Sequence, residues 1–318
     1  MMQTTPRTSS EISPEGGFVR QPNAFTARIT ADGSSGYLAE PGRYLLYASL
    51  ADPWAHRALI VHRLLGLERT IGVSLTDALS DERGWRFPPS TGGRDPATGA
   101  RYLSELYRVS DPAYQGRPTV PFLWDLRGQR IVTNDFPQIT TMFETEFRAF
   151  HRPGAPDLYP VAQRTEIDAL NTLIYHTVGN GVYKAGLAAG QAAYEEAFDA
   201  LFTTLSALEE RLGRRRFLLG DQISEADVRL YPTLARFDAV YHTLYKCNLR
   251  RLVDYPSLWG YARDLYRLPG FGDTTDFDQI KRHYYQTQDW INPTRIVPKG
   301  PYVNWLSPPD RERLSART

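Results

Sequence analysis

An aspartate followed by a proline, in the stretch Ser49-Leu50-Ala51-Asp52-Pro53-Trp54-Ala55-His56-Arg57, sits where a short extended run gives way to an amphipathic helical pattern. Proline suits the first position of a helix and aspartate the position before it. Asp52 is therefore placed to accept backbone N–H groups that the first turn cannot pair internally. As a cap it is worth on the order of 1 kcal/mol over alanine. The same place can do chemistry, because the helix dipole and the N–H groups hold negative charge there. A carboxylate so held could act as a base, as an electrostatic anchor or as a group that positions water. Both readings stand at this point. His56, beside Arg57, has the side chain of a base, although a structural hydrogen bond is the commoner fate of such a histidine. Cys247, in Tyr245-Lys246-Cys247-Asn248, is expected to be a buried, inert thiol.

These residues need elements to position them. Tyr44 to Ser49 reads as a buried strand, Pro53 to Leu67 as a helix and Ile71 to Leu75 as a second strand. An insertion over 77–116 follows, loop-like at its centre (PPSTGGRDPATG). A hairpin of Thr119–Trp124 and Arg130–Thr133 then turns at Leu126–Gln129 and leads into a helix from about Phe136 to Phe150. This order predicts a thioredoxin-like mixed sheet with helices on both faces over 41–150, preceded by a polar N-terminal extension, 1–40, lying over the body. His151 to Pro160 reads as a linker. From 160 to 290 the pattern is helical. Ala197, Leu201, Leu205, Leu208 and Leu212 mark one face; Ile167, Leu170, Leu173, Ile174 and Val178 mark another. Ser224 to Asp227 resembles a capping box. Residues 291–318 form a tail. The predicted class is α/β followed by all-α, the glutathione transferase architecture.

Bulk composition narrows the function. The 318 residues are enough for two cores. A balance of 37 basic and 36 acidic residues provides no field for nucleic acid or an anionic membrane. The first residues contain no apolar signal core, and no apolar run approaches the roughly 20 residues that span a bilayer. One cysteine excludes an intrachain disulfide and any multi-cysteine metal site. A cytoplasmic protein without metal, nucleic acid or membrane is expected. Tyrosine is abundant, with 19 residues, enough for some to line a cleft, although packing is the commoner fate.

Six segments are more specific: GRYLLYASLADPWAHR, DERGWRF, GRPTVPFLWD, NGVYKAG, RFDAVY and HYYQTQDWINPTRIVPKGP. In order and spacing, from about Gly17 to Pro301, they resemble the glutathionyl-hydroquinone reductases, or Xi-class glutathione transferases. The resemblance implies a dimeric enzyme. A cysteine would strip glutathione from glutathionyl-hydroquinones, and a second glutathione would resolve the resulting mixed disulfide. Asp52 stands where that resemblance implies the cysteine, and a carboxylate cannot attack sulfur to form a disulfide. Cysteine redox chemistry is then lost or altered, unless the aspartate is a substitution introduced into a cysteine enzyme.

The resemblance also implies a thiol site. Trp85 would contact the thiol cofactor, and Arg117-Pro118-Thr119-Val120 would pair with it through the backbone. Val120-Pro121 stands where thioredoxin-like folds hold a cis proline. The family grips the glutamyl end of glutathione with Glu-Ser, whereas this chain has Asp135-Phe136. Asp135 can still accept from an amine; Phe136 replaces a hydroxyl with a ring. The cofactor is thus glutathione or another low-molecular-weight thiol, such as mycothiol, which has no glutamyl group. On the acceptor side Tyr183 matches an active-site tyrosine that exchanges a proton with a phenolic oxygen. Tyr241 and Tyr284 match tyrosines that face the family's cysteine and could instead bond to Asp52. The leading expectation is an enzyme acting on a phenolic or quinonoid molecule by conjugation, elimination or isomerisation. The alternatives are a non-catalytic carrier of an aromatic ligand and a Cys-to-Asp variant of the reductase.

Overall fold

The computed structural model describes residues 11–81 and 83–315. Packing divides them into two units. One comprises 22–159 and 269–283; the other comprises 11–21, 160–268 and 284–315. The segment read as an N-terminal extension contributes to both units, as does the helix containing 283 and 284. Packing therefore follows a less linear division than the sequence pattern suggests.

The first unit is built on a four-stranded sheet in the order β2-β1-β5-β6. β1 (Tyr44–Ala48) is central and nearly all buried, which is why it reads as a continuous apolar run. It runs parallel to β2 (Ile71–Leu75) and antiparallel to β5 (Phe122–Asp125), which pairs with β6 (Arg130–Thr133). A parallel pair requires a crossover, supplied here by α1 (Pro53–Leu65). α1 ends at Gly66, whose left-handed φ of 73° lets its N–H reach the last carbonyls. The insertion carries the short strands β3 (Ser80–Asp81) and β4 (Gly84–Trp85), then α2 (Leu103–Ser110). Its loop-like centre is pinned down: Asp95, 1% exposed, accepts the hydroxyls of Tyr47 on β1 and Ser74 on β2, each at 2.6 Å. After β6, α3 (Phe136–Thr145) packs on α1.

The second unit is helical: α4 (Arg164–Ile174), α5 (Gly181–Gly186), α6 (Gln191–Leu212), α7 (Glu225–Arg236), α8 (Pro256–Tyr266) and the end of α9 (Phe277–Thr287). The predicted α6 face is buried throughout. Ser224 opens α7 in the expected capping box, its N–H donating to Asp227 Oδ2 at 2.8 Å. Leu173 departs from expectation and is 42% exposed. At about 100° per residue it falls off the face shared by Ile167, Leu170 and Ile174. Wider π-helical turns follow α4 (Tyr175–Gly179) and α7 (Phe237–Tyr241). Such turns often mark functional sites; here the first leads into α5, which carries Tyr183, and the second ends at Tyr241.

Candidate active site

In the strand-bearing unit Asp52 is the N-cap of α1. Its Oδ1 accepts the N–H groups of Trp54 and Ala55, each at 2.8 Å, with Pro53 at the first helical position. The half-buried carboxylate is thereby a fixed negative charge at a helix N-terminus. Trp54 carries two contacts that orient this turn: the guanidinium of buried Arg57 lies 4.4 Å from its ring centre, and the ring of Phe136 lies at 4.5 Å. Phe136 thus fills space against α1 from the first residue of α3. His56 is fully buried and turned toward Thr274, Nε2 to Oγ1 2.9 Å. The Thr274 hydroxyl donates to the Gly270 carbonyl at 2.6 Å, so His56 Nε2–H is the donor to Thr274. That is the structural hydrogen bond expected of it.

Trp85, 6% exposed, stacks on His283 at 4.5 Å and 14°, and His283 Nδ1–H donates to the Ala78 carbonyl at 2.8 Å. Pro118 lies beside β4, 3.7 Å from where a Cβ on Gly84 would stand. The Val120-Pro121 bond is cis. The four residues from Arg117 to Val120 are not equivalent. The Arg117 carbonyl accepts from the Tyr114 hydroxyl at 2.9 Å. Both backbone groups of Thr119 meet the Tyr107 hydroxyl: its carbonyl accepts at 2.9 Å and its N–H donates at 3.2 Å. Val120 differs. It is buried, and among the described residues its N–H and C=O have no hydrogen-bond partner.

Asn134, which sequence reasoning passed over, organises this side. Its amide accepts from Phe25 N–H at 3.0 Å and donates to Tyr107 Oη at 3.3 Å and Thr119 Oγ1 at 3.4 Å. Next to it the half-buried Asp135 carboxylate accepts from the amides of Asn23 at 3.3 Å and Gln138 at 3.2 Å. Both partners are neutral, so its charge is oriented without being cancelled.

In the helical unit the three predicted tyrosines come together. Tyr284 lies between the others, its hydroxyl 2.5 Å from that of Tyr183 and 2.9 Å from that of Tyr241. Tyr241 and Tyr284 are buried; Tyr183 is half-buried. Burial holds the hydroxyls of Tyr241 and Tyr284 well above the usual phenol range, and the cation of fully buried Arg236 partly offsets this. The Tyr241 hydroxyl is hydrogen-bonded within this cluster, to Tyr284 and to Tyr183, and either oxygen of the Tyr241–Tyr284 pair can donate. A fourth ring, Tyr245, packs 5.6 Å from Tyr183 and 5.8 Å from Tyr284 and donates to Gln288 at 2.9 Å. It was not anticipated, although its position four residues after Tyr241 was a signal. Gly186 allows this packing, since a Cβ there would stand 2.1 Å from the Tyr245 ring.

Residues 191–264 match the family model for the glutathione S-transferase C-terminal domain. Over 94% of each chain the protein is 46% identical to the glutathionyl-hydroquinone reductase YqjG of Escherichia coli (strain K12). The glutathione-bound structure of that relative superposes with a TM-score of 0.87, covering 91% of this chain and 96% of the other at 46% identity. A glutathione transferase from Gordonia bronchialis is 53% identical over 92% of both chains, with a TM-score of 0.90. This chain belongs to the Xi-class glutathione transferases and glutathionyl-hydroquinone reductases.

This transferase is accordingly an enzyme of that family, with the glutathione transferase fold. No helix among its described residues is long and apolar enough to cross a membrane. The transferase's lone cysteine, Cys247, is fully buried, and burial pushes its thiol up to about 12.

Proposed function

We propose that this transferase acts on a phenolic or quinonoid small molecule together with a low-molecular-weight thiol, without cysteine redox chemistry at the α1 turn. The tyrosine relay carries the reading. The three hydroxyls are in hydrogen-bond range through Tyr284; with Tyr241 donating to Tyr284 and Tyr284 in turn donating to Tyr183, the Tyr183 proton lies outside the relay and goes to the ligand oxygen. Tyr183 then serves as the proton donor, and the buried hydroxyls behind it stabilise charge on its oxygen. Asp52 stands in place of the family's cysteine and supplies a fixed carboxylate instead of a nucleophilic sulfur. Conjugation, elimination or isomerisation is the matching chemistry.

The thiol would pair with the backbone of Val120 and lie by Trp85, with its amine toward Asp135. Glutathione is the first candidate, because the E. coli relative is known with glutathione bound. The Phe136 ring against Trp54 favours a second candidate, a thiol without a glutamyl end such as mycothiol. Assembly as a cytoplasmic homodimer belongs to the same reading and is read by sedimentation and fractionation. The deciding experiment is turnover of a quinone and hydroquinone panel with each thiol, repeated with Tyr183→Phe. That variant should fold and lose turnover. A transferase that binds these molecules but turns over none would instead be a carrier. Unchanged rates in Tyr183→Phe would remove the tyrosine from the chemistry.

A further inference from the structure

We propose that Arg20, carried by the N-terminal arm, is a positioning residue for Tyr183: its guanidinium covers the tyrosine ring and favours release of the tyrosine proton to the bound ligand. The guanidinium carbon lies 4.9 Å from the centre of the Tyr183 ring and 5.4 Å from that of Phe18, which itself lies 6.5 Å from Tyr183. Arg20 Nε donates to Asn180 Oδ1 at 3.0 Å. Asn180 is buried and begins the turn that presents Tyr183, its carbonyl accepting the N–H groups of Tyr183 and Lys184. One side chain thus holds both the start of this turn and the face of its tyrosine.

The arm is built to hold that side chain. Ile12 bridges Phe18, and Val19 N–H donates to the Glu11 carbonyl at 2.7 Å. Ala189 N–H donates to the Gly16 carbonyl at 2.8 Å, where the backbones approach so closely that a Cβ on Gly16 would stand 2.6 Å from Gly190 N. Arg20 is therefore fixed on the helical unit, unlike a surface arginine swinging in solvent.

A cation over an aromatic face is attracted to its electrons and stabilises negative charge on the attached oxygen. The other groups facing Tyr183 are the rings of Tyr241, Tyr245 and Tyr284. Arg236 bears on Tyr241 and Tyr284 from the buried side, Lys184 follows Tyr183 in the chain, and of the arm's two acids Glu11 accepts from Gln21 N–H at 3.0 Å while Glu15 is exposed. In the transfer the proton leaves the Tyr183 oxygen for the ligand oxygen, Tyr284 continues to donate to Tyr183, and no electrons move between molecules.

The inference rests on the proton-donor reading of Tyr183, and the test separates the two. The probe is 4-nitrophenol, whose absorbance reports both binding to the full-length chain and its ionisation there, followed against pH. Arg20→Met should weaken binding of the anion roughly three- to thirty-fold and raise the pH at which bound probe ionises; Arg20→Lys should recover most of both. If Arg20→Met does not fold, Arg20→Gln carries the same expectation. A Tyr183→Phe variant that binds and ionises the probe like the wild type, or a wild type that does not bind it, would overturn the tyrosine reading and this one with it. Loss in Tyr183→Phe with no change in the Arg20 variants would overturn the role of Arg20 alone.

Discussion

The hydroxyl of Tyr284 lies 2.9 Å from that of Tyr241 and 2.5 Å from that of Tyr183, in the middle of a hydrogen-bonded trio. Both Tyr241 and Tyr284 are buried, so removing the middle hydroxyl differs from removing an end one. Tyr284→Phe takes a partner from two hydroxyls and should cost about 1–3 kcal/mol, whereas Tyr241→Phe removes one end of the trio and should cost about 0.5–1.5 kcal/mol. The double variant should be no worse than Tyr284→Phe. Denaturant unfolding checks this, and equal costs for the single variants would mean that the middle hydroxyl holds no more than an end one.

The α1 turn predicts the fate of an introduced thiol. Asp52→Cys places sulfur beside the N–H groups of Trp54 and Ala55, which with the helix dipole favour its thiolate. The lost cap should cost no more than roughly 0.5–2 kcal/mol, so the variant should fold. Near neutral pH iodoacetamide should label residue 52 well before Cys247, whose burial raises its thiol to about 12. Trace reduction of a glutathionyl-hydroquinone should accompany it. An unreactive thiol in a folded variant would show that this turn shares only its architecture with the reductases.

Gly186 offers a steric test of the tyrosine cluster. A methyl group there meets the Tyr245 ring at 2.1 Å, too close for either to keep its place. Gly186→Ala should destabilise the protein by about 1–3 kcal/mol, the usual cost of overpacking. It should also lower binding of a phenolic ligand, because Tyr245 packs on Tyr183. Ligand binding unchanged in the face of lower stability would separate Tyr245 from the site.

The sheet has an acid dependence of its own. Burial would raise the Asp125 carboxyl, but hydrogen bonds from Arg43, both at 3.1 Å, and from backbone N–H groups hold it below the usual carboxylate range. The folded protein therefore binds this proton less readily than the unfolded chain. The stability this contributes is present above the unfolded value of about 3.9 and is lost as pH falls through the lower folded value. Asp125→Asn should lower stability at neutral pH and flatten the loss below about pH 4. An acid limb as steep as in the wild type would assign the dependence to other carboxylates.

How much of this was legible beforehand follows from the range of each interaction. The Asp52 cap, the Ser224–Asp227 box, the α6 stripe and the strand–helix–strand order depend on neighbours a few residues away, so spacing alone announces them. The family segments marked Tyr183, Tyr241 and Tyr284 individually. Leu173 was misread because a run of apolar residues hides which of them turns off the face.

What the sequence determined by itself was therefore the fold class, the capped turn at Asp52 and the choice of Tyr183, Tyr241 and Tyr284 as candidates. Tertiary structure alone decided that the three tyrosine hydroxyls meet at Tyr284, that His56 serves Thr274 across 218 positions, and that Arg20 reaches Asn180 across 160. It alone tied Asn134 to the 119 segment and Asp95 to the sheet. The physical reason is that a hydrogen bond has direction and short reach. Periodicity tells a side chain which face to occupy; only the folded backbone brings one partner within 3 Å and buries the others.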